Sequence, residues 1–409
     1  MTISNSRSIL RKSVQNTSPR AQESSVTDTY ESRSSPITLI PNEVLLRILR
    51  EYAASTRRSG HIFLEVCSAW HELASHDPRL WTFLSVDTRK FEETLSLENS
   101  KCAFEGLKAT LARSKELPLD IEYKDTHAVQ QAQLMTSDIE EIRRPCLSLL
   151  LQHCHRWKFV SLTLNMVSGV GGAALLRQGG LPRFPLLLEL SIQNIDFPEA
   201  LNTMMFPMVE LHGTILAAIF QHSTQLQYLE TPALPRPSGD PTFSMRIDDT
   251  AFPNVTQVVV DHTTERCLIN WLELTKGSLA SCDIKTMDSR FDTVSTVTPT
   301  LTGLLELPKL TSLRMPQGHT IVFDHLILPG LKTLALYDDH CRPFDISGIP
   351  EMLERSGCRL ELFELLFRRA QAPLTDLQPK FPTLALKESE SEEKGYQRRV
   401  YFLGAEKQR

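Results

Sequence analysis

At 409 residues, with 41% hydrophobic and 23% charged residues, the chain has the size and composition of a soluble globular protein carrying one large domain, or a small domain and a larger one. A net charge of −5 argues against a general binder of nucleic acid or anionic membranes, and no apolar run approaches the roughly 18–20 residues of a membrane span. Eight scattered cysteines without a C-x-x-C pair read as reduced thiols rather than a disulfide framework.

Residues 1–36 are rich in Ser, Thr and Arg and poor in large apolar groups, which predicts disorder. Within them, residues 1–22 contain Arg7, Arg11, Lys12 and Arg20 and no acid. That composition suits a solvated tail and also a mitochondrial presequence; without an apolar leader, the expected location is cytoplasmic and/or nuclear.

The stretch from Leu39 to Val86 then reads as short helices. Pro41 fits a helix start, and Glu43 is favourable against the dipole. Val44, Leu45, Ile48, Leu49 and Tyr52 recur at helical spacing, leaving Arg47, Arg50 and Glu51 on the wet side. A second helix is expected to carry Phe63, Val66, Cys67, Trp70 and Leu73 on one face and to end at Asp77-Pro78, with Trp81 following. So few helical turns cannot bury so many large apolar groups among themselves, so an apolar surface is left for a partner. The alternative is a helical hairpin whose stripes are its own core.

Further on, Phe91 to Ser114 looks helical, and Leu117 to Tyr123 alternates as a short strand. From there an apolar residue, two spacers, an apolar residue, one spacer and an apolar residue recur together. The copies are Phe159/Leu162/Leu164, Leu187/Leu190/Ile192, Leu226/Leu229 with a degenerate third position, Val255/Val258/Val260, Leu279/Cys282/Ile284, Leu310/Leu313/Met315, Leu331/Leu334/Leu336 and Leu360/Phe363/Leu365. Their middle positions step by 28, 39, 29, 24, 31, 21 and 29 residues, and several follow a proline, as in Phe184-Pro185, Phe252-Pro253, Leu307-Pro308 and Leu328-Pro329. Most steps suit a leucine-rich repeat, in which Leu-x-Leu places alternate side chains on one strand face and stacked units share a core. Return segments are expected at Leu268 to Thr275 and Ile349 to Arg355, and an insertion at Thr203 to Phe220. A mixed α/β domain with chance L-x-x-L-x-L matches is the alternative. The segment Lys387 to Lys394 reads as a solvated, charge-rich tail.

The helical stretch, with L-I-P-N-E-V-L-L-R-I, V-C-S-A-W and D-P-R-L-W in order, resembles the F-box. The run Leu149-Leu150-Leu151-Gln152-His153-Cys154-His155-Arg156-Trp157 is similar to one common in F-box proteins of mushroom-forming fungi, extending the likeness over most of residues 39–366. The resemblance implies an α/β fold: an N-terminal helical F-box (37–86), then an irregular leucine-rich-repeat-like solenoid with a parallel concave sheet (87–386), flanked by tails 1–36 and 387–409. It implies the substrate-recognition subunit of a Skp–cullin–F-box ubiquitin ligase, which is not itself an enzyme and needs no cofactor, metal, nucleic acid or membrane. Its partners are a Skp-family adaptor, through it a cullin, and a target protein. Leu39, Ile40, Pro41, Val44, Leu45, Ile48 and Leu49 form one adaptor-docking ridge, and Val66, Cys67, Trp70 and Trp81 the second. Target binding is expected on strand positions facing away from the core, at Thr163, Glu189, Ser191, Arg314 and Thr333, and in the loop with Asp338 and Asp339.

Three patterns suggest chemistry and fall short of it. His71-Glu72-Leu73-Ala74-Ser75-His76 sets its histidines five apart, about 140° around a helix, where a zinc helix needs four. Cys146, His153, Cys154 and His155 lack a second ligand cluster. Gly169-Val170-Gly171-Gly172-Ala173-Ala174 fits a dinucleotide turn, but Gly179-Gly180-Leu181-Pro182 ends its helix too early. A nucleotide-binding α/β enzyme therefore stays as a rival reading, beside an interaction scaffold with no ligase output.

Overall fold

The structure is a computed structural model that describes residues 40–57, 60–88, 97–125, 146–164, 183–194, 223–234, 252–287, 303–317, 319–337, 348–367, 389–393 and 396–402. The chain divides into two compact units, Met1–Leu45 and Leu46–Arg409, and residues 40–45 are the described part of the first. The protein is α/β, with one large, mainly parallel sheet.

Helix α1 spans Asn42–Thr56. Pro41 stands just before it, and its carbonyl oxygen accepts from the N–H groups of Val44 and Leu45, both at 3.0 Å. A 3-10 turn, Gly60–Glu65, leads to α2, Ser68–His76, and a second 3-10 turn, Pro78–Trp81, enters strand β1, Phe83–Asp87. One continuous helix from Phe63 to Leu73 is not formed. Cys67 is extended at φ −162°, which breaks the run, so Phe63 lies on the 3-10 turn and only Trp70 and Leu73 of the expected stripe lie on α2. The expected stop is in place: Asp77 is extended ahead of Pro78 and its N–H donates to the Leu73 carbonyl at 3.2 Å.

After helix α3, Leu97–Arg113, come β2, Leu119–Lys124; β3, Trp157–Leu164; β4, Glu189–Asn194; β5, Tyr228–Ala233; β6, Gln257–Thr263; and β7, Ser281–Met287. They are followed by β8, Leu305–Glu306; β9, Ser312–Pro316; β10, Leu326–Ile327; β11, Thr333–Tyr337; and β12, Leu362–Phe367. The large sheet takes β1-β2-β3-β4-β5-β6-β7-β9-β11-β12 in chain order, every neighbour parallel, while β8 and β10 pair separately.

The register explains the recurring pattern. One row across the sheet is Leu84, Ile121, Val160, Leu190, Leu229, Val258, Cys282, Leu313, Leu334 and Phe363. The row two residues on is Val86, Tyr123, Leu162, Ile192, Thr231, Val260, Ile284, Met315, Leu336 and Leu365. Both rows are buried throughout, so each strand contributes alternate side chains to one core. The first copy is therefore framed by Trp157, Val160 and Leu162, two residues earlier than Phe159/Leu162/Leu164. Strands β1 and β2 also join the row, and Trp81/Leu84/Val86 at β1 has the same spacing and burial as Trp157/Val160/Leu162 at β3.

The proline lead-ins are tight turns. Leu187 N–H donates to Phe184 O, Leu310 to Leu307 O and Leu331 to Leu328 O at 3.1–3.3 Å, with proline at the second turn position, where its fixed φ fits. Leu188, Gln227, Thr256, Ala280, Thr311, Lys332 and Glu361 then each donate to the preceding copy, from Leu188 to Lys158 O through Glu361 to Lys332 O. Gly330 approaches Pro308 so closely that a Cβ there would lie 2.7 Å from its carbonyl oxygen.

Both expected return segments are helical. Helix α4, Glu265–Thr275, is N-capped by Thr264, whose Oγ1 accepts from Cys267 N–H at 3.3 Å, and buries Leu268, Trp271 and Leu272. Short helix α5, Thr320–Asp324, precedes α6, Gly348–Ser356, which ends at Gly357 with φ +59°. The insertion expected at 203–220 lies outside the described residues. The charge-rich segment departs from the solvated, disordered tail expected of it: β13, Ser389–Glu393, and β14, Tyr396–Phe402, form an antiparallel hairpin on the edge of β12, setting Glu390 opposite Arg399.

Candidate functional site

Two surfaces gather the residues singled out from the sequence. The first is on α1. Leu45, Leu49 and Ala53 recur every four residues and are buried, while Val44, Ile48 and Tyr52, also four apart, are 48%, 49% and 43% exposed. A helix whose two adjacent stripes are both apolar, one covered and one wet, has an unused hydrophobic face. Val66 is 53% exposed, and Cys67 beside it is also exposed. Beneath them Phe63 is buried, with the Tyr52 ring 5.9 Å and the Trp70 ring 6.1 Å from it. Trp70 is half-buried, Ile40 is half-buried and Pro41 is exposed, while Leu39 lies outside the described residues.

Three expected docking residues are spent inside the chain. Leu45 and Leu49 form the covered stripe of α1. Trp81 is fully buried: its Nε1–H donates to the Ala74 carbonyl at 2.7 Å, the Arg113 guanidinium lies 4.5 Å over its ring, and His61 meets it edge-on at 5.0 Å. It is a core residue: the ring is buried and its N–H is satisfied within the chain. Arg50 is not simply on the wet side either. Its Nε donates to Asp77 Oδ2 at 2.6 Å, and Asp77 Oδ1 accepts from Arg79 N–H at 3.2 Å, so one carboxylate ties α1 to the turn after α2.

The second surface is the sheet face opposite the buried rows. Thr163, Glu189, Ser191, Arg314 and Thr333 all lie on it, exposed or half-buried, while Asp338 and Asp339 lie outside the described residues. They fall into two groups. Glu189 is in register with Tyr228, and Ser191 with Ser161 and Glu230, on β3 to β5, with Thr163 beside them; Arg314 and Thr333 lie on β9 and β11. Ser191 and Arg314 share a row but stand four strands apart, roughly 19 Å at the usual strand spacing.

Between the groups are residues that the sequence reading passed over. Glu230 accepts from Ser191 Oγ at 2.6 Å, Gln193 Nε2 at 3.3 Å and the Tyr228 hydroxyl at 3.4 Å. Burial first, and then Glu230, push the Tyr228 phenol up to about 12. Lys285 holds Asp261 at 2.6 Å. The Tyr337 hydroxyl donates to Asp283 at 3.0 Å, and Arg314 lies 3.9 Å from Asp283 and 3.6 Å from Glu364. Burial raises the Asp283 carboxyl, an effect that Tyr337 and Arg314 oppose. The signal was available: Glu230, Asp283 and Glu364 each occupy the single spacer directly after the middle apolar position of a copy.

The other patterns remain ordinary. His71 and His76 are both exposed on α2, and no group of three or more His, Cys, Asp or Glu that could hold a metal occurs among the described residues. Cys146 and Cys154 are buried, their thiols raised by that burial. Arg156 is buried too, donating through Nε to Leu117 O at 2.9 Å and through a terminal nitrogen to Ser114 Oγ at 2.6 Å, which secures the chain leaving α3. The glycine turn at 169–172 lies outside the described residues. No described helix is long and apolar enough to cross a membrane. No protein-family model matches the chain, and no curated protein matches it.

Proposed function

We propose that the chain is the substrate-recognition subunit of a Skp–cullin–F-box ubiquitin ligase, docking on a Skp-family adaptor through its N-terminal helices and presenting a target on its sheet. The observation that carries this reading is the wet apolar stripe Val44, Ile48 and Tyr52 on α1. It coincides with the segment whose L-I-P-N-E-V-L-L-R-I sequence resembles the F-box. Sequence-ordered parallel strands carrying the L-x-x-L-x-L pattern support a leucine-rich-repeat-like solenoid as the second part. Such a receptor performs no bond chemistry: holding a target lysine near a loaded ubiquitin-transfer enzyme raises its effective concentration.

Co-purification of the full chain with a Skp-family adaptor tests the reading. Wild type is expected to bind and Ile48→Asp is not, because a carboxylate placed in an apolar interface is left without a partner. Equal recovery of adaptor by both chains, or no recovery by wild type, would falsify it.

A further inference from the structure

We propose that the hairpin of β13 and β14 is a displaceable strap on the edge of β12, and that this edge takes in its place an extended segment of the target protein with aliphatic residues at alternate positions. This rests on the reading of the chain as a target receptor, and it gives the target a form and its docking a gate. The juxtaposition that carries it is the register of β14 on β12, an antiparallel pair at the end of an otherwise parallel run of strands.

The apolar rows stop at β12. Phe363 closes the first row and Leu365 the second, and both are buried. Across the next gap Tyr401 is in register with Phe363, but Arg399 is in register with Leu365 and Gln397 with Phe367. Val400 stands instead at the level of Glu364, and Phe402 at the level of Leu362, one residue out of phase with the rows. Strand alternation has a period of two, so a slip of one residue takes an apolar set out of its row. Strand β13, Ser389-Glu390-Ser391-Glu392-Glu393, adds no apolar residue at any level. Between neighbouring parallel strands the apolar rows reinforce the ladder, whereas from β12 to β14 the main-chain ladder carries a larger share of the attachment.

Main-chain pairing does not depend on which residues supply it, so an edge that accepts β14 accepts another extended chain. The row positions are what distinguish one occupant from another. A segment with Val or Ile two residues apart, level with Phe363 and Leu365, continues both rows, whereas Arg399 interrupts the second. Strands β9, β11 and β12 show the fit: Leu313, Leu334 and Phe363 are in register, as are Met315, Leu336 and Leu365. In sequence, residues 368–388 separate β12 from β13, so release of the hairpin does not require β12 to unpair from β11.

The test uses the full-length chain and a fluorescein-labelled Lys-Thr-Val-Thr-Val-Thr-Lys peptide, with Lys-Thr-Asn-Thr-Asn-Thr-Lys as the control. Fluorescence anisotropy should show saturable binding of the valine peptide and none of the asparagine peptide. Val400→Pro takes a donor out of the hairpin's ladders and should tighten binding about fivefold by opening the strap. Arg399→Val continues the second row within the hairpin and should weaken binding about threefold. Amide hydrogen exchange read by mass spectrometry should find β14 exchanging about tenfold faster than β11, or more. The proposal is overturned if the valine peptide does not bind Val400→Pro, if both variants bind it as wild type does, or if the asparagine peptide binds equally. Exchange in β14 as slow as in β11 also overturns it. So does a wild-type dimer that Val400→Pro dissolves, since the occupant of the edge is then the hairpin of a second copy. Neither variant lies on α1, so adaptor co-purification is read separately. Adaptor binding with no peptide binding removes this proposal alone, and peptide binding without adaptor binding removes the ligase reading alone.

Discussion

Trp81 donates its indole N–H to the carbonyl oxygen of Ala74, seven residues earlier, at 2.7 Å, and Trp157 donates to Leu150, also seven residues earlier, at 3.1 Å. Each tryptophan comes after a helix, Trp81 as the last residue of a 3-10 turn and Trp157 directly after one, and stands at the entrance to a strand, β1 or β3. The same local device thus starts two strands of the sheet: a helical carbonyl is satisfied, and a large ring seals the end of the core. Trp157 packs on Phe184 with ring centroids 5.5 Å apart, and Trp81 on Gly60, where a Cβ would lie 3.1 Å from the indole.

Trp81→Phe keeps most of that ring and removes its donor, stranding the Ala74 carbonyl in a buried place. The expected loss is about 1–3 kcal/mol of folding stability, read as a lower denaturant midpoint at unchanged slope. Adaptor recovery at a temperature where the variant is folded should equal that of wild type, because the ring contributes nothing to the surface. A stable variant that fails to bind the adaptor would return Trp81 to the docking ridge.

Ile48 and Leu49 are adjacent and opposite in role. Leu49→Ala empties a buried site that is 1% exposed and should cost about 2–5 kcal/mol. Ile48→Ala, at a site 49% exposed, should shift stability by no more than about 0.5 kcal/mol while weakening adaptor recovery. Thermal melts paired with co-purification separate the two. Equal destabilisation by both would show that the exposed stripe is covered in the isolated chain.

Much of this fold was legible in the sequence, and what escaped has physical reasons. The stop at Asp77-Pro78 is a steric rule that any neighbourhood obeys. The break at Cys67 was hidden because Phe63, Trp70 and Leu73 fit one helical stripe whether or not the backbone is continuous. The frame of β3 slipped by two residues because strand alternation has a period of two: Phe159/Leu162/Leu164 satisfies the same template as Trp157/Val160/Leu162, and only register distinguishes them. The partners of Glu230 and Asp283 were invisible for another reason. Ser191 is 39 residues from Glu230, and Tyr337 is 54 from Asp283, so a local reading sees isolated polar spacers. In β13 and β14 a run of charges looked like a solvated tail because the backbone register that joins the two strands exists only across the hairpin.

The cysteines divide by environment, and a labelling experiment can read the division. Cys67 and Cys102 are exposed, while burial pushes the thiols of Cys146 and Cys282 up to about 11 and about 12. Since the thiolate is the reactive form, Cys67 should react with iodoacetamide in the native protein and Cys282 only after unfolding. Cys67 adjoins Val66 on the exposed apolar surface, so its carbamidomethylation should reduce adaptor recovery, and Cys67→Ser should abolish that sensitivity. Mass spectrometry of tryptic peptides checks the first expectation and co-purification the second. Native labelling of Cys282 ahead of Cys67 would contradict the burial pattern.

Asp283 gives the sheet face a pH dependence whose direction follows from its surroundings. Burial raises its carboxyl above the ordinary 3.8, and the Tyr337 hydroxyl and Arg314 only partly offset that effect. The folded chain therefore holds this proton to a higher pH than the unfolded chain does. Between those two values the native state binds more protons, so this group's contribution to stability is greatest at low pH and declines as pH rises through the window. Asp283→Asn retains an oxygen to accept from Tyr337 and removes the charge. Its melting temperature relative to wild type should rise as pH is raised from the ordinary carboxylate value to neutrality and the wild-type carboxyl ionises. A difference that stays flat or falls over that range would mean that the carboxylate is stabilised by Arg314 and Tyr337 by more than burial costs it.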